Sequence, residues 1–122
     1  MKYLALIYSD EADPAINPPP GSPEMQPIME AYFAFGAAGD EAGVVVGGDA
    51  LMPTTMATSV QVRDGETVTT DGPFAETKEQ LGGFYMFECD NLDTAIDWAS
   101  RIPHAATGTI EVRPVIDFSE EG

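Results

Sequence analysis

The chain has 122 residues, enough for one domain with a modest core, and 43% of them are apolar, an ordinary globular share. Twenty-one acidic residues against five basic ones give a formal net charge of -16. Such a surface repels nucleic acid and anionic membrane. The five cations, Lys2, Arg63, Lys78, Arg101 and Arg113, are scattered in sequence and form no basic stripe.

A single cysteine, Cys89, excludes an internal disulfide framework. It closes a strand-like run and reads as a small buried apolar residue rather than a nucleophile. Lys2 is followed by a short strand-like run and then by Asp10 and Glu11, which is not a signal-peptide pattern. No apolar run approaches membrane-spanning length. The expectation is a soluble, cytoplasmic protein with one domain over residues 1–118 and a short acidic tail over 119–122. The acidic surface reads as solubilising, with a basic protein partner as the alternative.

Residues 2–9 read as a first strand. Leu4, Leu6 and Tyr8 share one face and Tyr3, Ala5 and Ile7 the other, and both faces are largely apolar. Residues 10–23 carry Pro14, Pro18, Pro19, Pro20 and Pro23 and read as a loop. A helix is expected over 24–42, with Met25, Ile28, Met29, Tyr32, Phe33 and Phe35 as a broad apolar stripe. Gly36 and Gly39 weaken its last turns, and Gly43 can end it.

Val44 to Val46 predict a short strand closed by a Gly47-Gly48 turn, and a connector containing Pro53 follows. Residues 58–63 and 66–70 form a hairpin about Asp64-Gly65, a strong turn signal. Residues 83–89 are another strand. A second helix over 92–102 places Leu92, Ala95, Ile96, Ala99 and Ile102 on one face, capped by Asp90 or Asn91. In the last strand, 109–116, Ile110 and Val112 alternate with Glu111 and Arg113.

This order predicts an α+β, ferredoxin-like βαββαβ protomer with an inserted hairpin. Two helices cover one face of a four-stranded sheet, yet the first strand and the 84–89 run are apolar on both faces. A second copy packed sheet to sheet in a homodimer, or the inserted hairpin folded over a monomer, would cover the other face.

The segment from Asp71-Gly72-Pro73-Phe74 to Gly82-Gly83-Phe84-Tyr85 is polar, turn-rich and not what a packed core demands. Asp71 suits an acid, base or orienting group, or a simple turn-capping side chain. Phe74 suits a pocket wall or an anchor. Residues 76–80 read as a short helical turn, whose Lys78 holds an anionic ligand or pairs with Glu76 or Glu79. Gly82-Gly83 lacks the spacing of a dinucleotide fingerprint and reads as close packing of loop on strand.

His104, the sole histidine, follows Pro103 at a helix end. It suits either a base paired with Asp71 or a cation favoured by the helix C-terminus. Arg113 can neutralise a ligand carboxylate or pair with Glu111. Tyr8 and Tyr32 offer phenols to a pocket or pack as aromatics. One histidine and one cysteine, far apart, are poor metal ligands, and no calcium-loop spacing occurs. Neither a metal nor a cofactor is expected.

These residues resemble the YCII-related family, and in particular its DGPF subgroup. The resemblance runs from Met1-Lys2-Tyr3 through Gly47-Gly48, Val62-Arg63-Asp64-Gly65 and residues 70–85 to Ala99-Ser100-Arg101-Ile102-Pro103 and Ile110-Glu111-Val112-Arg113-Pro114-Val115. It implies a dimeric α+β barrel with a small-molecule cleft. Some related dimers are enzymes of lyase or isomerase type with a proposed His-Asp pair, which here falls on His104 and Asp71. Family members carry the histidine near the position of Ala106 or Thr107, so His104 stands early.

Two functions follow. The first is binding of a small polar or anionic molecule by Tyr8, Phe74, Lys78 and Arg113, with acid-base chemistry at Asp71 and His104. The second, from the genes that often neighbour such relatives, is a non-enzymatic regulatory module associated with an extracytoplasmic-function sigma factor.

Overall fold

In the computed structural model, which describes residues 1–121, strand β1 (Lys2–Ser9) is hydrogen-bonded along both edges. The chain continues through helix α1 (Met25–Glu41), β2 (Val45–Ala50), the hairpin β3 (Thr58–Arg63) and β4 (Glu66–Asp71), β5 (Gln80–Glu88), helix α2 (Leu92–Ser100) and β6 (Thr109–Pro114). The main sheet has the order β2-β5-β1-β6 and is antiparallel throughout, the ferredoxin-like arrangement expected. The hairpin is a separate two-stranded sheet. Its turn uses positive φ at both Asp64 (54°) and Gly65 (80°), as a tight two-residue hairpin turn requires.

Alternation along β1 sorts its side chains. Tyr3, Ala5, Ile7 and Ser9 are buried, and Tyr3, Ala5 and Ile7 join Phe35 of α1, Phe87 of β5 and Ala95, Trp98 and Ala99 of α2 in the core. Phe87 and Ile102 are fully buried, and each such side chain contributes about 1.5–3 kcal/mol. Phe35 packs on Tyr85 at a centroid distance of 4.9 Å and meets Trp98 edge-on at 6.1 Å.

Both helices present narrower faces than their sequences suggest. On α1 the core side is Met25, Ile28, Tyr32, Phe35 and Gly39, while Met29 and Phe33 are exposed. On α2 the buried residues are Ala95, Trp98 and Ala99, while Leu92 and Ile96 face solvent. Trp98 takes the core position because its ring reaches Phe35, and the Arg101 guanidinium lies 4.4 Å above that ring while bonding Asp97 at 2.6 Å. Asn91 is the cap of α2, accepting from the Thr94 amide at 2.9 Å.

Two further expectations are corrected. Gly47-Gly48 is not a strand-ending turn: β2 runs through both glycines to Ala50, with a register shift between Val45 and Gly47. A Cβ on Gly48 would meet the Phe84 carbonyl oxygen at 2.6 Å, so the bare backbone permits the pairing. Residues 76–80 make no helical turn. They bend, and β5 starts at Gln80, because Ser9 and Tyr8 pair with Gln80 and Leu81 and draw them into the sheet. Residues 118–121 form a single 3-10 turn, and Gly122 of the predicted tail lies outside the described residues.

The two glycines of α1 differ in surroundings. Gly36 has open space where a Cβ would stand, whereas a Cβ on Gly39 would collide with the Val45 side chain. Gly36→Ala is therefore expected to stabilise by about 0.5–1 kcal/mol through helix propensity. Gly39→Ala is expected to destabilise by about 1–3 kcal/mol through overpacking. Opposite shifts of the urea midpoint at unchanged slope are the readout; shifts of the same sign would contradict this packing.

Candidate functional site

The open side of the sheet, away from the helices, carries Leu4, Leu6 and Tyr8 of β1, in register with Met86, Phe84 and Leu81 of β5. A shift in the β1–β5 register between Ile7 and Tyr8 leaves Gly82 unpaired with β1 and sets Leu81 beside Tyr8. Around these two residues lies a concavity of about 620 Å³. Its walls are the end of β1, the connector 51–57, the loop 73–77 and the start of β5.

Hydrogen bonds shape this cleft. The Leu51 amide donates to the Gly82 carbonyl at 2.9 Å, and the Met56 amide to the Pro53 carbonyl at 2.9 Å, closing a 3-10 turn over Thr54–Met56. The Gly72 amide donates to the Ala57 carbonyl at 2.7 Å, and Ser59 Oγ to the Gly72 carbonyl at 2.8 Å. Gly72 has φ +97°, which lets the chain leave β4 and turn toward Pro73 and Phe74. Glu11 is a buttress: its carboxylate accepts from the Thr54 amide and hydroxyl, and its own amide donates to Gln80 Oε1 at 3.0 Å. Gln80 Nε2 in turn donates to the Thr77 carbonyl at 2.5 Å.

Of the residues expected at a site, Tyr8 and Phe74 line the cleft together. Lys78 is exposed between two lining residues, Thr77 and Gln80. Asp71 is exposed at the end of β4, opposite Thr58. Arg113 is exposed and pairs in register with Leu4, which puts it on the open face but not in the cleft wall. Among the described residues neither Lys78 nor Arg113 forms an ion pair.

His104 belongs to a different environment. It sits in a 3-10 turn over Pro103–Ala106, with Nδ1 2.5 Å from the Tyr32 hydroxyl and Nε2 3.2 Å from the Ile16 carbonyl. With Nε2 donating to Ile16 and Nδ1 accepting from Tyr32, both ring nitrogens are satisfied, and the imidazole ties the Pro-rich loop to α1. No hydrogen bond joins it to Asp71 among the described residues. Burial pushes the Tyr32 phenol up to about 12, against the opposing pull of its bond to His104. Burial also raises the Tyr85 phenol and the Cys89 thiol.

Sequence reasoning missed the cleft residues Leu51, Met52, Met56 and Leu81 and the Glu11 buttress. The available signal was apolar bulk without periodicity: Leu51-Met52-Pro53 and Met56 in a connector whose one regular piece is the short 3-10 turn over Thr54–Met56. Among the described residues no three His, Cys, Asp or Glu side chains converge as a metal site, and no helix is long and apolar enough to cross a membrane.

A ferredoxin-like α+β fold with an inserted hairpin and a cleft at one end of its open sheet face is the class this geometry defines. The YCII-related domain matches residues 1–119, and the chain belongs to the YCII-related family. An uncharacterised protein of Rhizobium meliloti (strain 1021) is 40% identical over 117 residues, covering 94% of this chain and 92% of that relative.

The Tyr32 environment sets an alkaline limit. The folded state holds the phenolic proton more tightly than the unfolded chain, whose tyrosine pKa is about 10. This contribution is intact below pH 10 and is lost as pH rises through about 12. Partial solvent screening reduces it to roughly 1–2 kcal/mol. Tyr32→Phe is expected to flatten the fall in urea stability between pH 10 and 12; an unchanged slope would rule out Tyr32 as its source.

Proposed function

We propose that this YCII-related protein binds a small molecule in the cleft beside residues 71–85, and that two copies pair through the uncovered faces of their sheets. The observation that carries the binding reading is the cleft itself. Its volume of about 620 Å³ falls within the range of small-molecule sites, and its lining joins Tyr8 and Phe74, which are 66 positions apart in sequence. Lys78 stands at the rim, where a polar or anionic ligand group would meet it, and Arg113 lies along the same sheet face.

Pairing is supported by what the hairpin does not do. It makes its extensive contacts only with itself, and every residue of β4 is exposed. Leu4, Leu6, Phe84 and Met86 are half-buried on the open face, and the hairpin does not pack extensively over them.

Lyase- or isomerase-like acid-base chemistry by an Asp71–His104 pair has weaker support, because His104 spends both nitrogens on Tyr32 and Ile16. The second reading, a regulatory module acting on a protein such as an extracytoplasmic-function sigma factor, rests on the hairpin, where Val60 and Val62 are 59% and 61% exposed.

A fragment library screened by saturation-transfer NMR is expected to yield hits that vanish in Met56→Arg, which places a charged chain in the cleft. No hits, or hits indifferent to that variant, would sink the binding reading. Light scattering is expected to give twice the chain mass for the wild type and the single-chain mass for Leu6→Lys. A Leu6→Lys protein that stays paired would move the interface elsewhere.

A further inference from the structure

Resting on the cleft reading above, we infer that the ligand is neutral and mainly aromatic, carries one hydrogen-bonding group, and is not an anion. This sets aside the anionic part of the class expected from Lys78 and Arg113, both of which stand outside the lining.

None of the thirteen residues lining the cleft is charged. The polar side chains among them are largely committed elsewhere. Thr54 donates its hydroxyl to Glu11, and Thr77 donates its own to the Glu79 carbonyl. Gln80 donates to the Thr77 carbonyl and accepts from the Glu11 amide. The Tyr8 hydroxyl makes no hydrogen bond to another described residue and is the one uncommitted hydroxyl in the wall, where the second N–H of Gln80 is the remaining side-chain donor. An anion entering here would leave water for a wall with no cation and a single free hydroxyl. It would also approach a chain of net charge -16.

The apolar side of the balance favours a ring. Phe74 is 84% exposed, Met52 67% and Met56 64%. An aromatic side chain and two thioethers left in water gain by covering one another's surface with a flat partner, through stacking at Phe74 and sulfur–aromatic contact at the methionines. Methionine is also unbranched and adaptable, so the wall can close on ligands of differing outline. One phenol, ketone or ring nitrogen on the ligand would meet Tyr8.

The test compares N-phenyl-1-naphthylamine with 8-anilino-1-naphthalenesulfonate, two fluorescent probes with the same rings, of which only the second is anionic. The neutral probe is expected to bind at least about ten-fold more tightly than the sulfonate, and Phe74→Ala to weaken it about ten-fold at an unchanged urea midpoint. Sulfonate binding that equals or exceeds neutral binding and still depends on Phe74 would overturn the ligand class while leaving the cleft intact. Failure of both probes, or binding of both that ignores Phe74→Ala and Met56→Arg, would overturn the cleft as well. A change from paired to single-chain mass in Phe74→Ala would assign this patch to a second copy and overturn the inference.

Discussion

Hydrogen bonding along both edges of β1 is the constraint on which the rest of the structure depends. With β5 on one side and β6 on the other, β1 cannot slip by one residue without exchanging its two faces. Polarity does not hold this register, since both faces are apolar. Size does. Ala5 is fully buried and flanked by Tyr85 and Val112, and a slip would force Leu4 or Leu6 into that space beneath Phe35 and Trp98. The same register carries Tyr8 past the helices to the open face, where the shift about Gly82 places Leu81 beside it. The cleft begins at that pair, so its position is a by-product of how the core packs.

The fold was legible in the sequence because its main elements announce themselves locally. A short apolar run broken by Asp10 and Glu11 marked β1 within its observed bounds, and Asp64-Gly65 marked the hairpin turn. The errors fell where tertiary context overrides local pattern. Phe33 and Ile96 fit a helical stripe but face water, because each helix touches the sheet along one narrow line. Gly47-Gly48 resembles a turn, yet pairing with β5 keeps it extended. The polar 76–80 stretch resembles a helix start, yet β1 pulls its end into a strand.

The site was less legible than the fold. Tyr8 and Phe74 were recognisable as wall residues, but the partners that complete the wall, Leu51, Met52 and Met56, sit in a connector with no pattern to read. Charge attracted attention to Lys78 and Arg113, and both lie outside the lining. The motif that distinguishes residues 71–85 divides its labour. Gly72 turns the chain, Gln80 and Thr77 brace it through each other and Glu11, and Phe74 is the large apolar side chain of the segment left exposed. His104 shows the complementary case: a residue type suggestive of chemistry that here fastens the loop of residues 10–23 through Ile16.

The sheet's two outer strands have a bearing on colloidal behaviour. A free strand edge is a template for further strands, and exposed edges of this kind seed aggregation. On the outer strand β2, two glycines, a register shift and Asp49 interrupt the row of donors and acceptors. On β6 the charged Glu111 and Arg113 stand along the outer strand, and Pro114 closes it without an amide hydrogen. The features that distort β2 therefore also make lateral growth into fibrils unfavourable, and they do so without relying on the net charge that keeps separate molecules apart.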